Sequence, residues 1–296
     1  MRQTPTIIAF AVACLGIAVF SSMDAVVKHL SLAIGTYNTL LWRSLAGVPM
    51  TLSPWLLRRP TWPQGKVLRI HIERGLVAAL MAVLFFWGLA RTPMAQAIAL
   101  TFISPLIAQG LAVVLLKERL RRGAMLGSAL ALVGVIVILS GQAMKAMDAE
   151  AALGAVAVVL SAVAYAYNII LMRRQSQVAD AYEVAFFQNG IVAIVLACAM
   201  PWMAELPPAP HWPAIIAAAA LASFSLFLLS WAYARAEASY LAPVEFTAFV
   251  WASLWGFVVF GEHVRLTTVA GAALIIGGCL IAARSPANLP ERDILP

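Results

Sequence analysis

Apolar runs follow one another along this chain with only short polar breaks, and each is close to the ~20 residues a helix needs to cross roughly 30 Å of hydrocarbon. Ten such runs are read, near 6–28, 36–57, 71–90, 94–116, 122–142, 151–172, 181–202, 212–234, 240–261 and 266–284. Each must be helical, because an open strand in lipid leaves backbone groups unpaired. The second run carries Arg43 and Pro49, and the third opens on Glu73 and Arg74. Composition agrees: 63% of the chain is hydrophobic and 11% charged, whereas about a quarter of a soluble domain is charged. A water-soluble fold of this length has too little polar surface to cover so much apolar area. The formal net charge of +7 does not argue for nucleic acid. The basic residues lie in short loops between apolar runs, where they orient a membrane protein.

The runs are not independent. Arg91 to Gly134 and Arg235 to Gly278 align without a gap at an offset of 144 residues. Arg91 falls on Arg235, Ala95 on Ser239, Phe102 on Phe246, Glu118 on Glu262, Gly127 on Gly271 and Gly134 on Gly278. The register extends upstream, with Trp87 on Trp231 and Asp24 on Asn168. Such a period is far longer than a solenoid repeat and describes a tandem domain. The expected units are residues 1–144 and 145–285, five spans each, followed by a cytoplasmic tail at 286–296. An odd number of spans forces the second unit to enter the membrane upside down. Inverted repeats of this kind are a signature of secondary transporters.

Counting Lys and Arg by side gives the orientation. With the N-terminus inside, Arg2, Arg58, Arg59, Lys66, Arg69, Lys117, Arg119, Arg121, Arg122, Arg173, Arg174, Arg235, Arg284 and Arg292 fall on one side. Lys28, Arg91, Lys145 and Arg265 fall on the other, and Arg43 and Arg74 lie within or at the mouth of a span. The bias places both termini in the cytoplasm.

The chain offers little to a catalytic reading. Cys14, Cys198 and Cys279 each sit inside an apolar run without metal-ligand spacing, and read as small buried hydrophobes. His29, His71, His211 and His263 are scattered at loop edges. There is no nucleophile elbow or Walker loop. No catalytic residue, metal or cofactor is assigned, and the partners expected are a small-molecule substrate and the lipid bilayer, with no nucleic acid. A nucleotide-driven pump would need a soluble domain, and no segment is long enough. Glu118 and Glu262, at equivalent loop ends beside basic residues, read as ion pairs or caps. Gly123, Gly127 and Gly134 give the fifth span a smooth packing face, and Gly271 and Gly278 do so in the tenth.

Several segments resemble the EamA-type drug/metabolite transporters. They are Arg74-Gly75-Leu76, Phe85 to Arg91, Pro93 to Ala97, Thr101 to Leu106, Lys117-Glu118-Arg119 and Gly127, with Ala242 to Ala248, Trp251-Ala252, Phe260-Gly261-Glu262 and Gly271 in the second half. The resemblance spans nearly the whole chain. Length and aromatic content are similar to the YddG-type aromatic amino-acid exporter branch. It implies an all-α integral membrane protein of ten helices in two inverted five-helix repeats, in a bacterial inner membrane, with a central cavity lined by spans 1, 3, 4, 6, 8 and 9.

Residues near mid-depth of those spans are the expected substrate contacts: Phe20, Met81, Phe85, Phe102, Pro105, Ser161, Tyr165, Ser223, Phe227, Phe249 and Trp251. Aromatic, sulfur and hydroxyl groups together suit a neutral or zwitterionic molecule with an apolar part. Each aromatic equally suits packing against a neighbour or lipid. Pro105 removes a backbone hydrogen bond and frees the carbonyl of Thr101 for a substrate ammonium, unless Ser104 or Thr101 satisfies it. Asp24, Arg43 and Glu245 are ionisable residues in spans, hence candidates for ion coupling or charge pairing: Asp24 or Glu245 for a substrate amine or a proton, and Arg43 for a substrate carboxylate or for Asp24, the latter pair being preferred. Transport of amino acids, aromatic ones included, is the leading reading. Import of a nucleoside-like or vitamin-like solute is the alternative, and a membrane-embedded lipid enzyme the distant one. Monomer and homodimer both remain open.

Overall fold

The computed structural model describes residues 6–58, 62–91, 97, 100–101, 103–118, 122–140, 149–260 and 266–283. Among them the regular structure is entirely helical. The first half contributes α1 (Thr6–Ile34), α2 (Thr36–Leu56), α3 (Gly65–Leu89), α4 (Ile103–Leu116) and α5 (Arg122–Ser140). The second contributes α6 (Ala149–Val178), α7 (Ala181–Ala197), α8 (Trp212–Tyr233), α9 (Thr247–Phe260) and α10 (Leu266–Ala283). Phe102, Lys145, Glu262 and Arg265 lie outside the described residues, as does the tail.

Five stretches are both long and apolar enough to cross a bilayer by themselves: Thr6–Ile34, Gly65–Leu89, Ala152–Val178, Ala209–Tyr233 and Ala238–Val259. Shorter apolar helices fill the intervals. The equivalent helices α1 and α6 have 29 and 30 residues, longer than the runs expected at 6–28 and 151–172. α3 begins at Gly65 rather than 71, because Lys66 and Arg69 can extend the helix while their heads reach the interface. Leu76, Leu80, Val156, Leu160, Ile216 and Val258 point outward and exposed. That is the surface lipid would cover.

Packing repeats with the sequence. α5 lies along α10, α2 along α7, α3 along α6 and α1 along α8. The offset of 144 carries α1 onto α6 and α3 onto α8. Exchanging the halves therefore turns the α3–α6 contact into the α8–α1 contact, and leaves α5–α10 and α2–α7 as they are. The buried side chains form two clusters. One joins Ala9 to Ile17 of α1 with Ala166 to Met172 of α6. The other joins Met23 to Leu30 of α1 with Val158 of α6. The early part of α1 thus packs with the late part of α6, so these equivalent helices run in opposite directions.

The α5–α10 seam depends on glycine. A Cβ built on Gly134 would stand 2.6 Å from the carbonyl oxygen of Gly271, and one on Gly278 would stand 2.5 Å from that of Gly127. The two contacts are each other's image under the offset. Small residues at such points let helix backbones approach in lipid, where dispersion between backbones replaces the missing hydrophobic drive.

α9 does not start as one helix. Ala238–Leu241 forms a single α turn, Ala242–Phe246 a 3₁₀ segment, and α9 follows from Thr247. Pro243 has no N–H to give an α-helical ladder, so the chain tightens here. The run expected as one helix over 240–261 is broken for this reason.

Candidate functional site

The break before α9 brings Glu245 to the centre of the molecule. Its carboxylate accepts from Tyr165 Oη at 2.7 Å and from Tyr233 Oη at 3.4 Å. In the first half, the position equivalent to Glu245 is Thr101, and both line one cavity of about 190 Å³. The wall includes Phe20, Asp24, Arg43, Arg74, Met81, Phe85, Ser161, Tyr165, Asn168, Gln188 and Asn189. Many wall positions come in pairs 144 apart, among them Asp24 with Asn168, Ser21 with Tyr165, Ser44 with Gln188, and Met81 with Ser225. The cavity therefore lies where the halves meet, and the two copies present different chemistry to it.

Of the expected contacts, Phe20, Met81, Phe85, Thr101, Ser161, Tyr165, Asp24, Arg43 and Glu245 are at this wall. Ser161 donates to the Met81 carbonyl at 2.9 Å, tying α6 to α3. Four others lie elsewhere. Ser223 accepts from Asn189 Nδ2 at 3.1 Å. Phe227 packs on Tyr182 with ring centroids 4.9 Å apart. Phe249 is buried in a core cluster, and Trp251 packs on that same cluster. Counting depth along a span gives no azimuth, and these four side chains are not among those that line the cavity. Pro105 sits in α4, and Ser104 beside it donates to Ala162 O across to α6 at 2.8 Å rather than back into its own helix. Phe102 lies outside the described residues.

The direct Asp24–Arg43 pair is not formed. Arg43 Nη1 donates to Met23 Sδ at 3.0 Å, and Asp24 Oδ1 is buried without a hydrogen-bond partner. Among the described residues no ion pair within 4.0 Å joins the two. The two residues share the cavity wall on α1 and α2, and the thioether of Met23, next to Asp24 in the chain, takes a guanidinium donor. A buried carboxylate oxygen with no donor is costly unless something else supplies one. Gln188 Oε1, also at the wall, is unpartnered in the same way.

Sequence reasoning left α2 and α7 out of the wall, yet Arg43, Ser44, Gln188, Asn189 and Val192 line it. It also treated Arg74 as a residue at the mouth of a span. Arg74 is 1% exposed and bonds Asn168 and Gln175. The signal available was an arginine, preceded by Glu73, within the third apolar run, a functional candidate by default.

Glu118 holds the halves together away from the cavity. Lys117 takes a φ of 56° at the end of α4, and the Glu118 N–H closes onto Ala112 O at 3.2 Å. This left-handed helix stop aims the carboxylate at the second half. There it accepts from the N–H groups of Ala238 and Ser239 at 3.2 and 3.0 Å and from Ser239 Oγ at 2.9 Å. Arg173 Nε lies 3.6 Å away. The residue expected to pair or cap does both, across the repeat boundary. The aromatic–arginine motif is also duplicated in space: Arg91 stacks over Trp87 at 3.8 Å and Arg235 over Trp231 at 3.9 Å.

Comparison with known proteins places this arrangement. A sequence model of the EamA-like transporter family matches residues 7–140 and again 152–284. The chain is 26% identical over 272 residues to the pseudopaline exporter CntI of Pseudomonas aeruginosa, covering 90% of this chain and 92% of that protein. It is 24% identical to a riboflavin transporter of Brucella anthropi, over 82% of this chain and 86% of the relative. An S-adenosylmethionine uptake transporter of Rickettsia prowazekii is 23% identical, over 71% and 70% of the two chains. A solved crystal structure superposes with a TM-score of 0.78 at 21% identity, over 96% of this chain and 99% of the other, a likeness of fold alone.

Proposed function

The chain belongs to the EamA-like transporter family, and from that premise we propose that it exports small metabolites carrying both an ammonium and a carboxylate, amino acids including aromatic ones foremost. The membrane is the bacterial inner membrane, with ten spans and both termini cytoplasmic. The two halves, 1–144 and 145–285, are inverted, and alternating access follows from exchanging their conformations. The opposed directions of α1 and α6 and the exchange-symmetric packing support that arrangement.

One observation carries the substrate class. Asp24 and Arg43 share a cavity wall and do not satisfy each other. An acid and a guanidinium left unpaired in a low-dielectric site match the two ends of a zwitterion. Phe20, Phe85 and Phe86 on the same wall supply an apolar surface for its side chain. Binding at the meeting of two inverted halves is the arrangement alternating access requires.

The test is flux of labelled phenylalanine, threonine and a panel of unrelated solutes from liposomes containing the purified protein. Asp24→Asn and Arg43→Gln are each expected to lower amino-acid kcat/KM by about 10- to 100-fold, the size of a lost charge-assisted hydrogen bond. Amino-acid flux indifferent to both changes would remove the site assignment. A protein that moves riboflavin or S-adenosylmethionine and no amino acid would favour the second reading, import of a larger solute; two relatives are named for such solutes and one of them for uptake. Flux with and without an imposed pH gradient decides coupling.

A further inference from the structure

Arg74 is among the largest fully buried side chains of the protein, and the zwitterion reading makes no use of it. It projects from α3 into the cavity wall. Its Nε donates to Asn168 Oδ1 at 3.3 Å, and its Nη1 donates to Gln175 Oε1. Both acceptors are neutral amides. A guanidinium has five N–H donors, and the rest of those on Arg74 meet no acceptor among the described residues. Nor does any carboxylate of those residues lie within the 4.0 Å of an ion pair.

The amides are themselves held. Gln175 Nε2 bonds His71 Nδ1, and His71 Nε2 stands 2.8 Å from Glu183 Oε1. A chain from α3 through α6 to α7 thus fixes the guanidinium in direction without neutralising it. Removing a cation from water without a counter-ion costs several kcal/mol. If Arg74 served packing alone, an acid beside it or an apolar residue in its place would do better. The arrangement makes sense when the compensating charge arrives and leaves with a ligand.

Arg43 is in the same position on α2, bonded to a thioether and to no acid. The cavity therefore presents two guanidinium groups free of carboxylate partners, with Asp24 and Glu245 on the same wall. A simple amino acid has one carboxylate and engages one of them.

We infer that Arg74 forms a second anion subsite of the cavity, and that the preferred substrates are amino acids or amine conjugates bearing two separated carboxylates. The inference rests on the transport reading above and sharpens its substrate class. Carboxylate rather than phosphate is the fitting anion. One guanidinium offers a fork of two parallel N–H donors, matched to a planar carboxylate, and Arg43, the other guanidinium of the described wall, is left for the substrate's first carboxylate.

The experiment is competition and flux with aspartate, glutamate, 2-aminoadipate and 2-aminopimelate, each against a monocarboxylic amino acid of similar length. At least one dicarboxylate is expected to show a higher kcat/KM than its monocarboxylic counterpart. Arg74→Gln should lower that preference ratio about tenfold or more, and Arg74→Lys should restore part of it. A wild-type protein that prefers the monocarboxylate at every length overturns the inference. So does Arg74→Gln changing both classes by one common factor, the mark of a structural role. If Arg74→Gln does not fold, the wild-type series with Arg74→Lys decides alone. If the wild type moves no amino acid at all, the transport reading fails, and binding judges the subsite separately. Dicarboxylates raising the Tm of the solubilised wild type and not of the variant support it; no rise in either protein overturns it.

Discussion

Consider replacing Gly134 and Gly278 by alanine, singly and together. Each new Cβ would meet a carbonyl oxygen of the facing helix, at 2.6 Å for Gly134 and 2.5 Å for Gly278. That is short of van der Waals separation by roughly 0.8 Å. The opposing atoms are backbone, fixed in an α ladder, so no side chain can turn aside. α5 and α10 must move apart, and the whole seam loses contact. Overpacking of this kind costs about 1–3 kcal/mol per site. The sites are not independent, because they are mirror contacts on one seam. Once one alanine has opened it, the second enters space already made. The double variant should therefore be less destabilised than the sum of the singles by at least about 0.5 kcal/mol. Thermal unfolding in detergent, followed by circular dichroism, reads all four proteins. Singles within 0.3 kcal/mol of wild type, a threshold set by the ordinary additivity error of roughly 0.3–0.5 kcal/mol, would refute the close approach. Fully additive losses would refute the shared seam.

Glu118→Ala should cost about 1–3 kcal/mol, since it strips the donors of Ala238 and Ser239 of their acceptor and removes the carboxylate 3.6 Å from Arg173; Glu118→Gln should lose less, as measured by Tm. Lys117→Gly should raise stability by about 0.5 kcal/mol, because lysine holds a φ of 56° that glycine adopts freely, and an unchanged or lower Tm counts against the left-handed stop. Single cysteines at 117 and 145 should label from opposite faces of the membrane with an impermeant maleimide. Labelling from one face would end the inverted arrangement. Tyr165→Phe should weaken substrate binding through Glu245, whose carboxylate it bonds at 2.7 Å, with a rise in KM of roughly 3- to 10-fold for one hydrogen bond; an unaltered KM would place Glu245 outside the binding step.

What the sequence made legible follows from periodicity and repetition. The helix starts and stops of α4 and α9 fall 144 residues apart at both ends, so the aligned copies predicted each other. The seam glycines were visible for the same reason. The break at Ala242–Phe246 was not, because a proline inside an apolar run kinks, tightens or tolerates a helix depending on neighbours the sequence does not show. At the cavity, depth along a span was legible and direction around it was not. Phe85 and Phe249 were both expected near mid-depth, yet Phe85 lines the cavity and Phe249 is buried in a core cluster. The Asp24–Arg43 pair failed for a reason invisible to composition. Met23, next to Asp24 in sequence, takes the guanidinium.

The duplication also explains where the chemistry is concentrated. A cavity on an approximate two-fold axis receives each wall position twice, so identical copies would present a symmetric lining. Here the equivalent positions have diverged: Asp24 faces the cavity where its counterpart is Asn168, Glu245 where its counterpart is Thr101, and Tyr165 where its counterpart is Ser21. Arg43 and Arg74 have no basic counterparts either, their equivalents being Phe187 and Ala218. The seam, by contrast, has kept its glycines in both copies, because both helices must approach for either to pack. Packing constrains the two halves alike, whereas a polar substrate with distinct ends rewards halves that differ. Divergence at the cavity wall is what binding an asymmetric molecule on a symmetric frame demands, and under the proposed function the five charged or phenolic side chains that one copy has and the other lacks are the ones expected to set specificity.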